Sequence, residues 1–275
     1  MKTFRFSKLK LPIIQAPMVG GRNTPELASI VANSGGVGSF GFSFTSPEKI
    51  EETLNITKKS TTGFLNANFF VFKPVQRPEK KVQQEAIKAL SSLSLDHKFE
   101  INVPEEPFYY DLDTQIEVTL KNLPSIITFH LGVPPPNIID KIKSLGIKIG
   151  ITTTNINEAK IIENVEADFI VAQGIEAGGH RGVFNKDDNN KKNTLEKLLI
   201  KIIGNVSIPV DAADGIMEGR DIRRVIKMGA QAAQLGTAFL TCNEAGTSKI
   251  HRHYLLNKQK RKTQTTKAFS GRIAR

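Results

Sequence analysis

The chain is poor in several things, and each shortage removes a class of protein. One cysteine, Cys242, stands among 275 residues, and tryptophan is absent. A single thiol excludes an internal disulfide framework and fits a reducing compartment, so the cytoplasm is the expected location. No stretch approaches the roughly 18 apolar residues that a membrane-spanning helix needs. The basic start, Met1 to Arg5, precedes an apolar run as a secretion signal does, but Gln15 and two prolines interrupt that run and a strand accounts for it better. Acidic residues are missing from Ala245 to Arg275, where nine Lys or Arg occur. Those nine carry most of the formal charge of +11, since the remaining 29 basic residues face 27 acidic ones. Nine cations in one tail suit a phosphate backbone or an acidic partner. No aromatics interleave with them as in single-strand binders. The preferred reading is a solvated helix and end segment, with no nucleic-acid partner and no metal site.

What is present is punctuation at the ends of apolar runs. Asp168 to Ala172 reads as a short buried strand, ending in Gln173 and a turn with Gly174, Gly178, Gly179 and Gly182 around one histidine, His180. Glycines let backbone pass close to a ligand, and a lone imidazole there is a candidate proton acceptor near neutral pH. The plainer reading is a glycine-rich surface loop with an incidental histidine.

Further strands are expected at Leu11–Pro17, Val37–Phe42, Phe64–Val71, Ser125–Leu131, Ile147–Thr152, Ile208–Ala212 and Ala232–Leu235. Helices are expected after Thr24-Pro25-Glu26 and Thr45-Ser46-Pro47-Glu48, which carry capping and first-turn signals. Others are expected at Pro136–Ser144, Asn155–Asn164, Thr194–Gly204 and Glu218–Met228, with polar Asn185–Asn193 as a surface loop. Gly36, Gly38 and Gly41 match dinucleotide-loop spacing, but a helix precedes them and a strand follows, so that site is rejected. Asn68 sits in an apolar strand end, either orienting a polar ligand edge or satisfied within the core. Residues 73–124 are too long for one crossover. Helical spacing at Gln83–Leu95 and an irregular excursion at Asn102–Asp113 predict an insertion that covers the active mouth.

Eight strands with helical connections predict a (β/α)8 barrel over residues 1–244, followed by a basic helical segment over 245–275. A doubly wound open sheet competes less well, because the glycine signals follow strands six, seven and eight. Asp214-Gly215-Ile216 and Gly236-Thr237 stand where barrels hold phosphate, at the loops after strands seven and eight.

Six stretches, I-I-Q-A-P-M-V-G-G, N-A-N-F-F-V, I-T-F-H-L-G-V-P, A-Q-G-I-E-A-G-G-H-R-G, D-G-I-M-E-G-R-D-I and A-A-Q-L-G-T-A-F-L, with A-F-S-G-R-I-A-R at the end, resemble the nitronate monooxygenase family, formerly 2-nitropropane dioxygenases. The resemblance spans nearly the whole chain. It implies a TIM barrel binding FMN noncovalently at its C-terminal mouth. By position, Asn68, Gln173 and Gly178 would line the flavin, while Gly215, Gln234, Leu235, Gly236 and Thr237 would hold its phosphate end. Met18 to Gly21 would approach the ring. His180 corresponds to the family's catalytic histidine, and His130 would stand near the substrate. The implied reaction is oxidative denitrification of an alkyl nitronate such as propionate 3-nitronate with O2, giving a carbonyl compound and nitrite. A homodimer is compatible with this reading.

Three departures stand out. The family usually has glycine at Asp214, whose side chain is expected to turn out to solvent. Asp211 lies inside a strand and needs a partner. Relatives continue past the position of Arg275, so part of the cavity wall is expected to be missing. The rival activities are a flavin-dependent NAD(P)H oxidoreductase, of enoyl-acyl carrier protein reductase or NADH:quinone reductase type, and a flavin-binding protein with little turnover. The Met18–Gly21 segment and Phe108-Tyr109-Tyr110 favour the nitronate branch.

Overall fold

The structure, a computed structural model, describes residues 3–93, 101, 104–185, 193–257 and 263–275. Eight parallel strands close into a barrel in chain order: β1 Ile13–Gln15, β2 Val37–Gly41, β3 Phe64–Phe70, β4 Ile126–His130, β5 Lys148–Thr153, β6 Phe169–Gln173, β7 Val210–Ala213 and β8 Ala232–Leu235. The seam is β1 on β8, with Ile14 opposite Gln234 and Gln15 opposite Leu235. The helices are α1 Pro25–Asn33, α2 Pro47–Ser60, α3 Lys80–Leu93, α4 Leu112–Lys121, α5 Pro136–Ser144, α6 Ile156–Asn164, α7 Leu195–Ile203, α8 Gly219–Lys227 and α9 Lys249–Leu256. Among the described residues no helix is long and apolar enough to cross a membrane. Most of the expected surface loop at Asn185–Asn193 lies outside the described residues.

Local chemistry sets where helices begin. Thr24 Oγ1 accepts from the Leu27 N–H at 3.1 Å with Pro25 in the first turn, and Asp111 and Asn155 cap α4 and α6 in the same way. Each such cap contributes about 1 kcal/mol. Apolar residues at helical spacing then set the inward face. On α7, Leu195, Leu198, Leu199 and Ile202 are buried, each contributing up to about 1.5–3 kcal/mol.

Period-two alternation divides each strand between two cores. Ala67, Phe69, Ile127, Phe129, Ile149, Ile151, Ile170, Ala172, Ala212 and Leu235 pack outward with the helices. Ile14, Val37, Ile126, Phe169, Val171 and Ala232 form a second, separate cluster with Phe4. Phe4 meets Phe64 edge-on at 5.3 Å and Phe6 meets Phe169 at 5.4 Å, closing one end of the lumen with rings. Gly150 makes room for that plug, since a Cβ there would fall 2.2 Å from the Phe169 ring. Gly38 serves close packing too: its Cβ would fall 2.1 Å from Ala28 O of α1, a steric reason for the glycine that the rejected dinucleotide motif contained.

One element was not anticipated and one expectation needs correction. The excursion is irregular through Asp111, and a helix, α4, follows it and packs between α2 and α5. Asp111 starts it by accepting from the Thr114 N–H at 2.8 Å, and Gln115 ties it to the Phe42 and Thr45 carbonyls at 3.1 and 2.8 Å. The basic tail is not simply solvated. Arg252 of α9 donates to the carbonyls of Cys242 and Ala245 at 2.6 and 3.0 Å, and residues 263–275 fold back onto the loop after β6.

Candidate active site

Strand alternation delivers polar side chains to one end of the lumen, where they ring a cavity of about 510 Å³. Asn68 and Phe70 of β3, Thr128 and His130 of β4, Thr152 of β5, Gln173 of β6, Ala213 of β7 and Gln234 of β8 all line it. Three loops add Glu176 to His180, Asp214 to Met217, and Gly236, Thr237 and Leu240, while Ala16 to Val19 and Arg22 close the side near β1. The size suits a ligand the bulk of a mononucleotide. Below it a hydrogen-bonded row links Ser39, Asn66, Thr128 and Asn68: Asn66 donates to Ser39 Oγ at 3.3 Å, Thr128 to Asn66 Oδ1 at 3.1 Å, and Asn68 to Thr128 Oγ1 at 2.9 Å. That row fixes the Asn68 amide and leaves its Oδ1 outside these bonds.

Of the residues singled out from the sequence, Asn68, His130, Gln173, Gly178, His180, Gly215, Gln234, Gly236 and Thr237 converge on this cavity. Leu235 does not. Its neighbour Gln234 points inward, so Leu235 points outward into the core shared with the helices. The Gln173 amide is also differently engaged. Its Nε2 donates to His180 O at 3.0 Å and its Oε1 accepts from the Gly182 N–H at 2.7 Å, so it braces the histidine loop rather than offering a free edge.

His180 is half-buried. Its Nε2 lies 2.7 Å from Ser270 Oγ, and Phe70 meets the ring edge-on at 5.8 Å. Burial first, and then the Arg272 cation, lower its pKa below the usual imidazole value, so the ring is neutral at pH 7. The His180 carbonyl accepts from His130 Nε2 at 3.1 Å. A carbonyl only accepts, so His130 carries its proton on Nε2 and leaves Nδ1 as the acceptor. Burial pushes the His130 pKa down to about 4, against the raising effect of that bond.

The reading from sequence did not place the tail at the cavity. His251 and Leu255 of α9, with Thr263 and Arg275, line it. Gly179 and Arg275 exchange two backbone bonds of 3.0 Å, Arg181 N–H donates to Ile273 O at 2.8 Å, and His180 pairs antiparallel with Ala274. Ala274 in turn pairs with Thr266, so a small hairpin carries the histidine loop as an added strand. The A-F-S-G-R-I-A-R stretch was the available signal, since it ends the matching sequence, but pairing across ninety residues has no local signature.

The two unusual aspartates are both inside. Asp211 of β7 is fully buried, neither oxygen has a hydrogen-bond partner, and burial raises its pKa far above the carboxylate range. It is a neutral acid in the lumen wall. Asp214 turns inward rather than to solvent and is 7% exposed. It packs on Gly174, where any Cβ would collide with its Oδ2, and it accepts from the Glu176 N–H at 3.3 Å. Among the described residues no group of acids, histidines or cysteine has the geometry of a metal site.

The comparisons with known proteins agree with this geometry. A family model described as nitronate monooxygenase matches residues 2–275. A nitronate monooxygenase of Paraburkholderia phytofirmans is 39% identical over 96% of this chain and 72% of its own length, and one of Pseudomonas aeruginosa is 35% identical over 99% and 79%. The crystal structure of a nitroalkane oxidase from Streptomyces ansochromogenes superposes with a TM-score of 0.86 at 32% identity, covering 98% of this chain and 77% of that one. The barrel, the cavity at its strand ends and the match along the whole chain lead to one assignment: the chain belongs to the nitronate monooxygenase family of oxidoreductases.

Proposed function

We propose that this protein oxidises alkyl nitronates with O2, using FMN held in the cavity at the strand ends, and yields a carbonyl compound and nitrite. The observation that carries the reading is a neutral imidazole, His180, held at Nε2 by Ser270 and with its backbone carbonyl held by Gln173 and His130, over a mononucleotide-sized cavity whose loops are rich in glycine.

The residues present fit FMN. Gly178 and Thr237 lie close together, since a Cβ on Gly178 would reach Thr237 Oγ1 at 3.4 Å, and Gly215 adopts a positive φ of 36° beside Glu176. A 3-10 turn over Thr237–Thr241 starts there, and its first N–H groups have no partner inside the turn. Gly215, Gly236 and Thr237 would therefore take the phosphate on backbone amides and one hydroxyl. Asn68 and Gln234 would meet the polar edge of the ring, and Ala16, Pro17, Met18 and Ile216 its apolar faces. When bound, FMN supplies the one-electron chemistry between nitronate and O2.

The chain itself orients substrate and moves one proton. His180 is held by Ser270 at Nε2, and with Nε2 donating there, Nδ1 has the lone pair that takes an α-proton from a neutral nitroalkane. A nitronate arrives already deprotonated and needs only orientation and charge compensation. Phe70 excludes water on one side, packed against both His130 and His180 at 5.4 and 5.8 Å.

The test is oxygen uptake by the purified flavoprotein with propionate 3-nitronate, run beside NADH oxidation with a quinone or an enoyl thioester. Nitronate-driven uptake with nitrite release and no NADH requirement is expected. NADH consumption without nitronate turnover would transfer the protein to hydride chemistry, and bound flavin with neither activity would leave a binding protein.

A further inference from the structure

The cavity wall contains an acid pair that the proposed reaction does not use. Asp214 Oδ2 accepts from the Glu176 N–H at 3.3 Å, and the Glu176 carboxyl is near enough to raise the Asp214 pKa. Asp214 Oδ1 is buried and has no hydrogen-bond partner, so nothing there offsets the cost of a negative charge. The Leu195 backbone at the start of α7 and Arg275 on the C-terminal hairpin favour the ionised form of Glu176. Arg181 is the other cation facing Asp214, but its guanidinium is committed to the carbonyls of Gln173 and Gly174 at 3.0 and 2.5 Å. The environment thus stabilises one negative charge in the pair, on Glu176, and opposes a second. The pair borders the glycine cradle: Asp214 is joined directly to Gly215, and a Cβ on Gly215 would lie 3.7 Å from Glu176 Cβ.

We propose that the Asp214–Glu176 pair makes binding of the phosphate-bearing cofactor proton-linked: the mononucleotide binds to the singly protonated pair, takes up a proton where the free pair has lost it, and is released as pH rises. The inference rests on the FMN reading above and concerns this chain's own aspartate, which adjoins Gly215. The free protein's Asp214 has its pKa raised to about 8, by burial first and then by Glu176. A phosphate dianion brought to Gly215 adds a further negative charge and so favours the protonated form more strongly. By reciprocity, the deprotonated pair weakens the phosphate's hold.

The experiment titrates FMN and riboflavin separately into apoprotein, following flavin fluorescence from pH 7 to 9, where the phosphate is already a dianion. Calorimetry near pH 8.5 in two buffers of different ionisation heat counts protons. FMN is expected to bind about tenfold more weakly at pH 9 than at pH 7, the ratio for one linked proton lost near pH 8. It should take up close to one proton at pH 8.5, with riboflavin flat. Asp214→Asn and, as a second route to the same loss, Glu176→Gln are expected to flatten the FMN curve. Tight FMN binding with no pH slope, an equal slope for riboflavin, or an unchanged slope in both variants overturns the inference and leaves the FMN reading standing. No FMN binding at any pH overturns both.

Discussion

His180 and Asp211 show how burial alone gives two titratable residues opposite consequences. Burial, helped by the Arg272 cation, keeps His180 unprotonated and so available to accept a proton at neutral pH. His180→Asn should keep the loop pairing, which runs through backbone atoms, and retain flavin. Steady-state oxygen uptake should show a loss of about 10²-fold or more with a neutral nitroalkane and a much smaller loss with its nitronate. Equal losses on both would remove the base assignment. Asp211 is held neutral in the lumen wall without a partner, a cost of about 1–3 kcal/mol. The folded state keeps this proton well above the ordinary value of 3.8, so folding binds a proton that the unfolded chain has released. The contribution is therefore destabilising above pH 4 and grows as pH rises toward the raised value. Asp211→Val should raise Tm by several degrees at pH 8 and by less at pH 4. A gain that shrinks with rising pH would contradict the assignment.

Elements differ in how openly the sequence declares them. The strands were legible because each carries apolar residues between turn signals, and helices such as α5 because Pro135-Pro136 starts them and Gly146 follows them. The convergence of His180, His130, Asn68 and the glycine loops after β7 and β8 was legible for the same reason, since all stand at strand ends. Alternation would also have turned the Leu235 side chain out of the lumen, because adjacent strand residues do not face the same side. The C-terminal hairpin was not legible. Its pairing consists of isolated bridges and its partner, the histidine loop, is about ninety residues away, so no local period marks it. It nevertheless positions the histidine loop, through Ala274 against both His180 and Thr266. Ala274→Pro removes the N–H that donates to Thr266 O at 2.9 Å and should loosen the strand on which His180 rides. The barrel makes no use of that bond, so far-UV circular dichroism should be unchanged while kcat/KM falls by about 10²-fold. Full activity in this variant would make the hairpin a passive cover.

At the scale of the whole molecule, the hairpin changes the meaning of the charge. The excess of +11 lies almost entirely in residues 245–275, and described parts of that segment reach the cavity: His251, Thr263 and Arg275 line it, and the Arg272 cation acts on His130 and His180. Arg272 and Arg275 therefore put positive charge at the cavity of a nearly neutral barrel, which would draw in the proposed anionic nitronate and act little on a neutral nitroalkane. Salt shortens the reach of that field from tens of ångströms at low ionic strength to a few at about 1 M. Raising salt from about 10 mM to about 0.5 M should lower kcat/KM for a nitronate severalfold and leave the value for the neutral nitroalkane nearly constant. Lys249 at the start of α9 and Lys267 in the hairpin are exposed and outside the cavity lining, so Lys249→Gln with Lys267→Gln should reduce the salt slope without altering kcat. Parallel salt curves for the two substrates would show that the tail's charge is not directed at the substrate.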